Sequence, residues 1–187
     1  MIILASTSKR RIRLIKKITN NFKCVKPLID EDNFNYLNNS ILSKELSKLK
    51  AYSILKEEYK NDLIISADTV VIYKNNILHK PRNRIEAFNT LKKLSENKHI
   101  VLTSYTLLYK DKEINNTIKT SVFFKKLSDE EINNYLDMNT YKDKAGGYGI
   151  QNRKYKFVDK IIGSYNNVVG FPIEYIIKDI KKIGYEF

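Results

Sequence analysis

Short apolar runs of strand length alternate with segments of helical periodicity from one end of the chain to the other. Ile2 to Ala5, Phe22 to Val25, Leu63 to Ala67 and Val70 to Tyr73 have the first character, as do Ile100 to Tyr109, Ile118 to Phe124 and Phe157 to Ile162. Between them lie helical patterns: one through Ile12, Leu14, Ile15 and Ile18, one through Leu46, Leu49 and Ala51 to Tyr59, and one with Ala87, Leu91 and Leu94 on one face. Such interleaving predicts an α/β fold. Hairpin signals at Asn75-Asn76 and Lys110-Asp111-Lys112 predict a mixed sheet instead of a purely parallel one. Asn83 with Glu86, and Ser128 with Glu131, have the spacing of helix-opening capping boxes, the second ahead of Ile132 and Leu136. Pro172 is expected in the first turn of a closing helix through Ile176, Ile177 and Ile180.

Nothing divides the 187 residues: six glycines and three prolines are scattered, and no repeat or low-complexity block occurs, so one domain over residues 1–187 is expected. No apolar run approaches the ~18 residues of a membrane span. Cys24 is the only cysteine, which excludes an internal disulfide and points to a reducing, cytoplasmic setting. The formal charge of +13 suits an anionic partner, but the lysines are scattered along a chain rich throughout in Lys, Asn, Ile and Tyr, and they mostly decorate solvated faces.

Three segments carry chemistry. Ser6-Thr7-Ser8-Lys9-Arg10-Arg11 lies between a strand and a helix, where free backbone N–H groups and small hydroxyls let a phosphate approach. Cations are disfavoured at that helix end, so Arg10 and Arg11 point to an anionic ligand that their forked guanidinium groups would hold. It is no P-loop, lacking the glycines and the Lys-Ser/Thr ending. Asp68, with Thr69, stands at a strand end between two apolar runs, where a carboxylate must bind a metal, pair with a cation or activate water; a capping turn aspartate is the plain alternative. Lys80 would come beside it if the intervening segment is a hairpin. Lys144-Ala145-Gly146-Gly147-Tyr148-Gly149-Ile150-Gln151 concentrates three of the six glycines in four positions, requiring a tight or left-handed backbone and allowing close approach to a ligand. A triphosphate fits this inventory of hydroxyls, arginines, carboxylate and amide.

These segments, in this order, resemble the Maf family of nucleoside triphosphate pyrophosphatases, also called septum-formation inhibitor proteins. The match runs from Ile2 to about Pro172 and is carried by Leu4 to Arg11, Ser66 to Val71, Lys80-Pro81, Leu94-Ser95 with His99, Asp143 to Gln151, and Gly163 to Pro172. The resemblance implies an elongated mixed sheet with flanking helices and two lobes around a cleft, like the inosine triphosphate pyrophosphatases. It implies attack of water on the α-phosphorus with release of pyrophosphate, assisted by Mg²⁺ or another divalent ion such as Mn²⁺. Asp68 matches the family's general base and a metal ligand, Glu31 a second acidic position near the metal. Ser6, Arg10, Arg11, Lys50 and Lys80 match phosphate-binding positions. Thr69, Ile150 and Gln151 match the dTTP/UTP branch, and Gln151, with its donor and acceptor, could read a pyrimidine edge, modified pyrimidines included.

The same chemistry on 7-methyl-GTP or another base is the alternative enzyme reading, and a non-catalytic basic nucleic-acid-binding protein the alternative class. No stacking-plus-basic signature supports nucleic acid as a partner, no membrane partner is expected, and the resemblance points to a homodimer. Two residues depart from the family pattern. Lys9 replaces a proline, and His79 replaces a glycine, which would strain the backbone if that position needed a positive φ.

Overall fold

The computed structural model describes residues 1–30, 41–152 and 154–186. Its elements follow in the order β1 (Ile2–Ala5), α1 (Lys9–Ile15), β2 (Phe22–Val25), α2 (Leu42–Tyr52), β3 (Leu63–Tyr73), β4 (Asn76–Leu78), α3 (Arg84–Leu94) and β5 (Lys98–Tyr109). After them come β6 (Lys112–Phe124), α4 (Asp129–Asp137), β7 (Val158–Ile162), α5 (Tyr165–Val169) and α6 (Ile173–Ile183). The seven strands form one sheet in the order β2-β1-β3-β5-β6-β7, with β4 hydrogen-bonded to β3 alone. β1 runs parallel to both β2 and β3, while the β3–β4, β3–β5, β5–β6 and β6–β7 pairs are antiparallel. The sheet is therefore mixed and flanked by helices, as expected from the interleaved pattern.

Local chemistry accounts for most element ends. Ser128 and Glu131 form a reciprocal capping box that opens α4. Asn83 accepts from the Glu86 N–H at 2.9 Å to open α3, but the Glu86 carboxylate reaches Arg82 N–H at 2.8 Å instead of closing the box. The β3–β4 turn is Lys74-Asn75, with φ of 48° and 64°, one residue earlier than Asn75-Asn76. Such left-handed pairs match the twist of a two-residue hairpin.

The structure corrects three expectations and adds one element. The second helix begins at Leu42 and ends at Tyr52, because Ser43 and Ser47 join its buried face and extend it backwards. Pro172 precedes α6 as its N-cap instead of lying in its first turn. A short helix, α5, fills Tyr165–Val169, where Ser164 accepts from the Asn167 N–H. Finally, Leu63 to Tyr73 is one strand of eleven residues, so Asp68 lies in mid-strand and not at a strand end or in a turn.

That last correction places the site. β1 pairs with β3 only from Leu63 to Ile65, and β4 begins pairing only at Val71. Between them, Ser66 to Val70 pair with β5 alone within the sheet. This leaves a gap on one edge of β3 where β1 stops. A break in neighbouring strands beside a strand's carboxyl end is where ligands enter α/β sheets. Apolar clusters pack on both sides of it. One joins Ile2, Leu4 and Ile65 to α6 through Ile176 and Ile180, and the other joins Val71 and Val122 to Leu91 and Tyr135.

Candidate functional site

Alternation along β3 divides the gap residues between two faces of the sheet. Ser66, Asp68 and Val70 face α2; Ala67, Thr69 and Val71 face the other way. On the α2 side, helical spacing puts Ser43, Ser47 and Lys50 on one stripe. Ser43 Oγ lies 2.8 Å from Ser104 Oγ, Ser47 Oγ 3.1 Å from Thr106 Oγ1, and the Ser66 hydroxyl donates to the Ser47 carbonyl. The helix thus docks through hydroxyls and delivers Lys50 Nζ to Asp68 Oδ1 at 2.5 Å. Lys50 and Asp68 are only 4% and 6% exposed. A buried ion pair is costly to assemble and costlier to break, since removing one member strands the other in a low-dielectric site.

On the opposite face a chain of hydroxyls holds Arg11. Thr103 donates to the Asn167 carbonyl at 2.8 Å, which spends its proton. Thr69, 3.0 Å away, must then donate to Thr103 and is left to accept from Arg11 Nη2 at 3.3 Å. Arg11 Nε also donates to the Gly170 carbonyl at 2.9 Å. Thr69 is therefore turned away from Asp68, beside which the sequence places it, and bears on the site through Arg11.

Arg10 bonds Asp143 Oδ2 at 2.7 Å and its carbonyl at 3.1 Å. Burial pushes the Asp143 carboxyl up, but Lys144 and Arg10 outweigh it and hold it below its ordinary value. Both arginines thus have protein partners that explain cations at this helix start. Asp143 was not singled out in the sequence, although it opens the segment that leads into the glycine turn.

These groups surround an open cleft of about 1530 Å³, larger than the roughly 300–1,000 Å³ typical of small-ligand sites. Ser6, Arg10, Arg11, Lys50, Asp68, Thr69, Lys80 and Gln151 all line it. The β3–β4 hairpin brings Lys80 to the cleft as its motif requires. His79 carries no strain, because its φ is not positive. Lys9 is the first residue of α1 and also faces the cleft. Among the described lining residues, cations outnumber acids seven to three, which favours a polyanion. Glu31 lies outside the described residues. Among those described, no group of three or more His, Cys, Asp or Glu could hold an ion by itself. The hard carboxylate of Asp68 still fits Mg²⁺, which takes one or two protein carboxylates and completes its shell from substrate phosphates and water.

The glycine turn borders the cleft and is joined to α1 through the Arg10–Asp143 pair. Gly146 and Gly147 adopt φ of 69° and 73°, and Tyr135 donates to the Gly147 carbonyl at 3.2 Å. Tyr148 follows, its hydroxyl 2.6 Å from Nε2 of His99, a residue 1% exposed. Burial holds the His99 ring neutral by lowering its pKa to about 4. No described helix is long and apolar enough to cross a membrane.

A protein of Thermosipho melanesiensis named dTTP/UTP pyrophosphatase is 50% identical over 175 residues, covering 94% of this chain and 93% of its own. One of the same name from Carboxydothermus hydrogenoformans is 41% identical over 186 residues, covering 98% and 99%. The Ham1 protein of Staphylococcus aureus shares the fold at a TM-score of 0.52 with 13% identity, covering 97% of this chain and 98% of its own. The sequence profile of the Maf-like proteins matches residues 1–183, and the chain belongs to that family.

Proposed function

We propose that this chain hydrolyses nucleoside triphosphates, led by dTTP and UTP, to the monophosphate and pyrophosphate. The observation that carries this reading is the buried Lys50–Asp68 pair, set in the gap of the sheet and facing a cation-rich cleft. Asp68 accepts the proton of the water that attacks the α-phosphorus. Lys50, bonded to Oδ1, fixes the carboxylate in one orientation, which a general base requires. Arg10, Arg11, Lys80 and the Ser6 hydroxyl hold the phosphate oxygens and offset the charge that develops on them. Asp68 and Glu31 would hold Mg²⁺, which when bound supplies further neutralisation of the triphosphate. Thr69 acts by orienting Arg11, and Gln151 reads the pyrimidine edge. Modified pyrimidine triphosphates fit the same site chemistry. The reading includes the cytoplasm as the setting and the homodimer implied by the family.

Asp68→Asn tests it. The variant should still bind dTTP but lose turnover by at least about a thousandfold. It also leaves Lys50 buried without its countercharge, so stability should fall by about 3 kcal/mol, and the double change Lys50→Met with Asp68→Leu should recover that loss while staying inactive. Near-normal turnover in Asp68→Asn would remove Asp68 as the base.

A further inference from the structure

From Ala145 to Ile150 the chain reads Ala-Gly-Gly-Tyr-Gly-Ile, so Tyr148 is the one residue between those two with a side chain. Glycines give the turn its left-handed backbone at Gly146 and Gly147 but supply nothing to hold it in place. A turn that lines the cleft and ends in Gln151 needs side-chain anchors: Tyr135 holds the Gly147 carbonyl, and Tyr148 ties the turn to β5. Tyr148 lines the cleft, and its hydroxyl meets the buried His99 at 2.6 Å.

His99 lies on β5, paired in register with Val122. Phe124 stands edge-on to its ring at 4.9 Å between centroids, and Tyr148 at 5.3 Å. Its Nδ1 is buried and meets no hydrogen-bond partner among the described residues. Nε2 and the Tyr148 hydroxyl therefore make the one hydrogen bond open to either group, whichever of the two carries the shared proton. The bond fixes the turn to the long central strand that pairs with the Asp68 segment of β3.

We propose that His99 and Tyr148 form a positioning pair that fixes the Gly146 to Gln151 turn at the base end of the cleft. On this account His99 touches no substrate but governs how tightly the nucleobase is held. The inference rests on the pyrophosphatase reading above.

The test measures kcat and KM for dTTP alongside the competitive inhibition constant of inorganic tripolyphosphate, which has the phosphates but no base. His99→Phe and Tyr148→Phe should each raise the KM for dTTP about tenfold, the equivalent of one lost hydrogen bond. kcat should stay within about twofold, because phosphate positioning is untouched. The tripolyphosphate constant should not move. The double variant should be no worse than either single one, since both remove the same bond. His99→Gln, which keeps a donor, should restore most of the affinity.

A tripolyphosphate constant that rises in step with the KM would reduce the pair to a general structural role and overturn the proposal, as would additive single changes. An independent readout needs no turnover. The chain has two histidines, and the ring nitrogen spectrum of the wild-type protein should show a neutral buried imidazole whose Nε2 is hydrogen-bonded, a signature that Tyr148→Phe removes. An Nε2 without a hydrogen bond would contradict the pair. Wild-type protein that releases no pyrophosphate would defeat the pyrophosphatase reading and this inference together. An active wild type with unchanged variants would defeat this inference alone.

Discussion

Single residues at this site behave as members of pairs, and the buried ones bear most directly on stability. His99 shows this through pH. Burial lowers its pKa from 6.5 to about 4. Between those values the unfolded chain binds a proton that the folded chain refuses, so stability rises with pH across that window. Equivalently, the contribution is fully present above about pH 6.5 and is lost as pH falls towards 4. The difference corresponds to about 3 kcal/mol. Urea midpoints of the wild type and of His99→Gln, compared at pH 7 and pH 4.5, should reveal it. The wild type should lose more on acidification than the variant. Equal losses in both would show that His99 does not titrate in this way. Composition gives no hint of this behaviour. A histidine between Lys98 and Ile100 looks like any strand residue, and only the fold shows that its ring is enclosed by Phe124 and Tyr148.

At the scale of elements, the site depends on where segments stop. β1 ends at Ala5, β4 starts at Asn76, and the stretch of β3 between their pairings is left to carry Asp68. The two apolar runs around Asp68-Thr69 made the segment legible as strand, but the polar dipeptide read as an interruption. The carboxylate is tolerated in mid-strand because α2 presents Lys50 to it, a tertiary contact that no local pattern announces. The hydroxyl stripe of Ser43 and Ser47 was missed for a related reason. A buried helix face is expected to be apolar, and this one docks by hydrogen bonds. α5 is only five residues long, and it ends in Gly170 with φ of 104°. A Cβ there would approach Thr69 Oγ1 to 3.0 Å. Gly170→Ala should therefore cost about 2 kcal/mol through backbone strain and crowding. It should also raise the KM for the nucleotide, because the Gly170 carbonyl and Thr69 together orient Arg11. A stable variant with an unchanged KM would show that this corner does not support the arginine.

For the whole molecule, the α/β class, the mixed sheet and the sequence segments that meet at the cleft were all legible, because short motifs carry turn chemistry and apolar period together. The faces were less legible. Asp68 and Thr69 are neighbours in sequence but serve opposite sides of the sheet, one with Lys50 and the other with Arg11. Arg10 and Arg11 read as a matched clamp, yet Asp143 holds one and Gly170 with Thr69 the other. Most of the +13 charge lies away from the cleft, whose described lining holds seven cations against three acids. The central claim is that this cleft cleaves pyrimidine nucleoside triphosphates at the α-phosphorus. The most direct test is pyrophosphate release in ¹⁸O-labelled water with Mg²⁺, from dTTP, UTP, CTP, dCTP, GTP, 7-methyl-GTP and ITP. The expected result is release led by dTTP and UTP, with the label in the monophosphate. Label in the pyrophosphate, or no release from any of the seven by folded protein, would contradict the account.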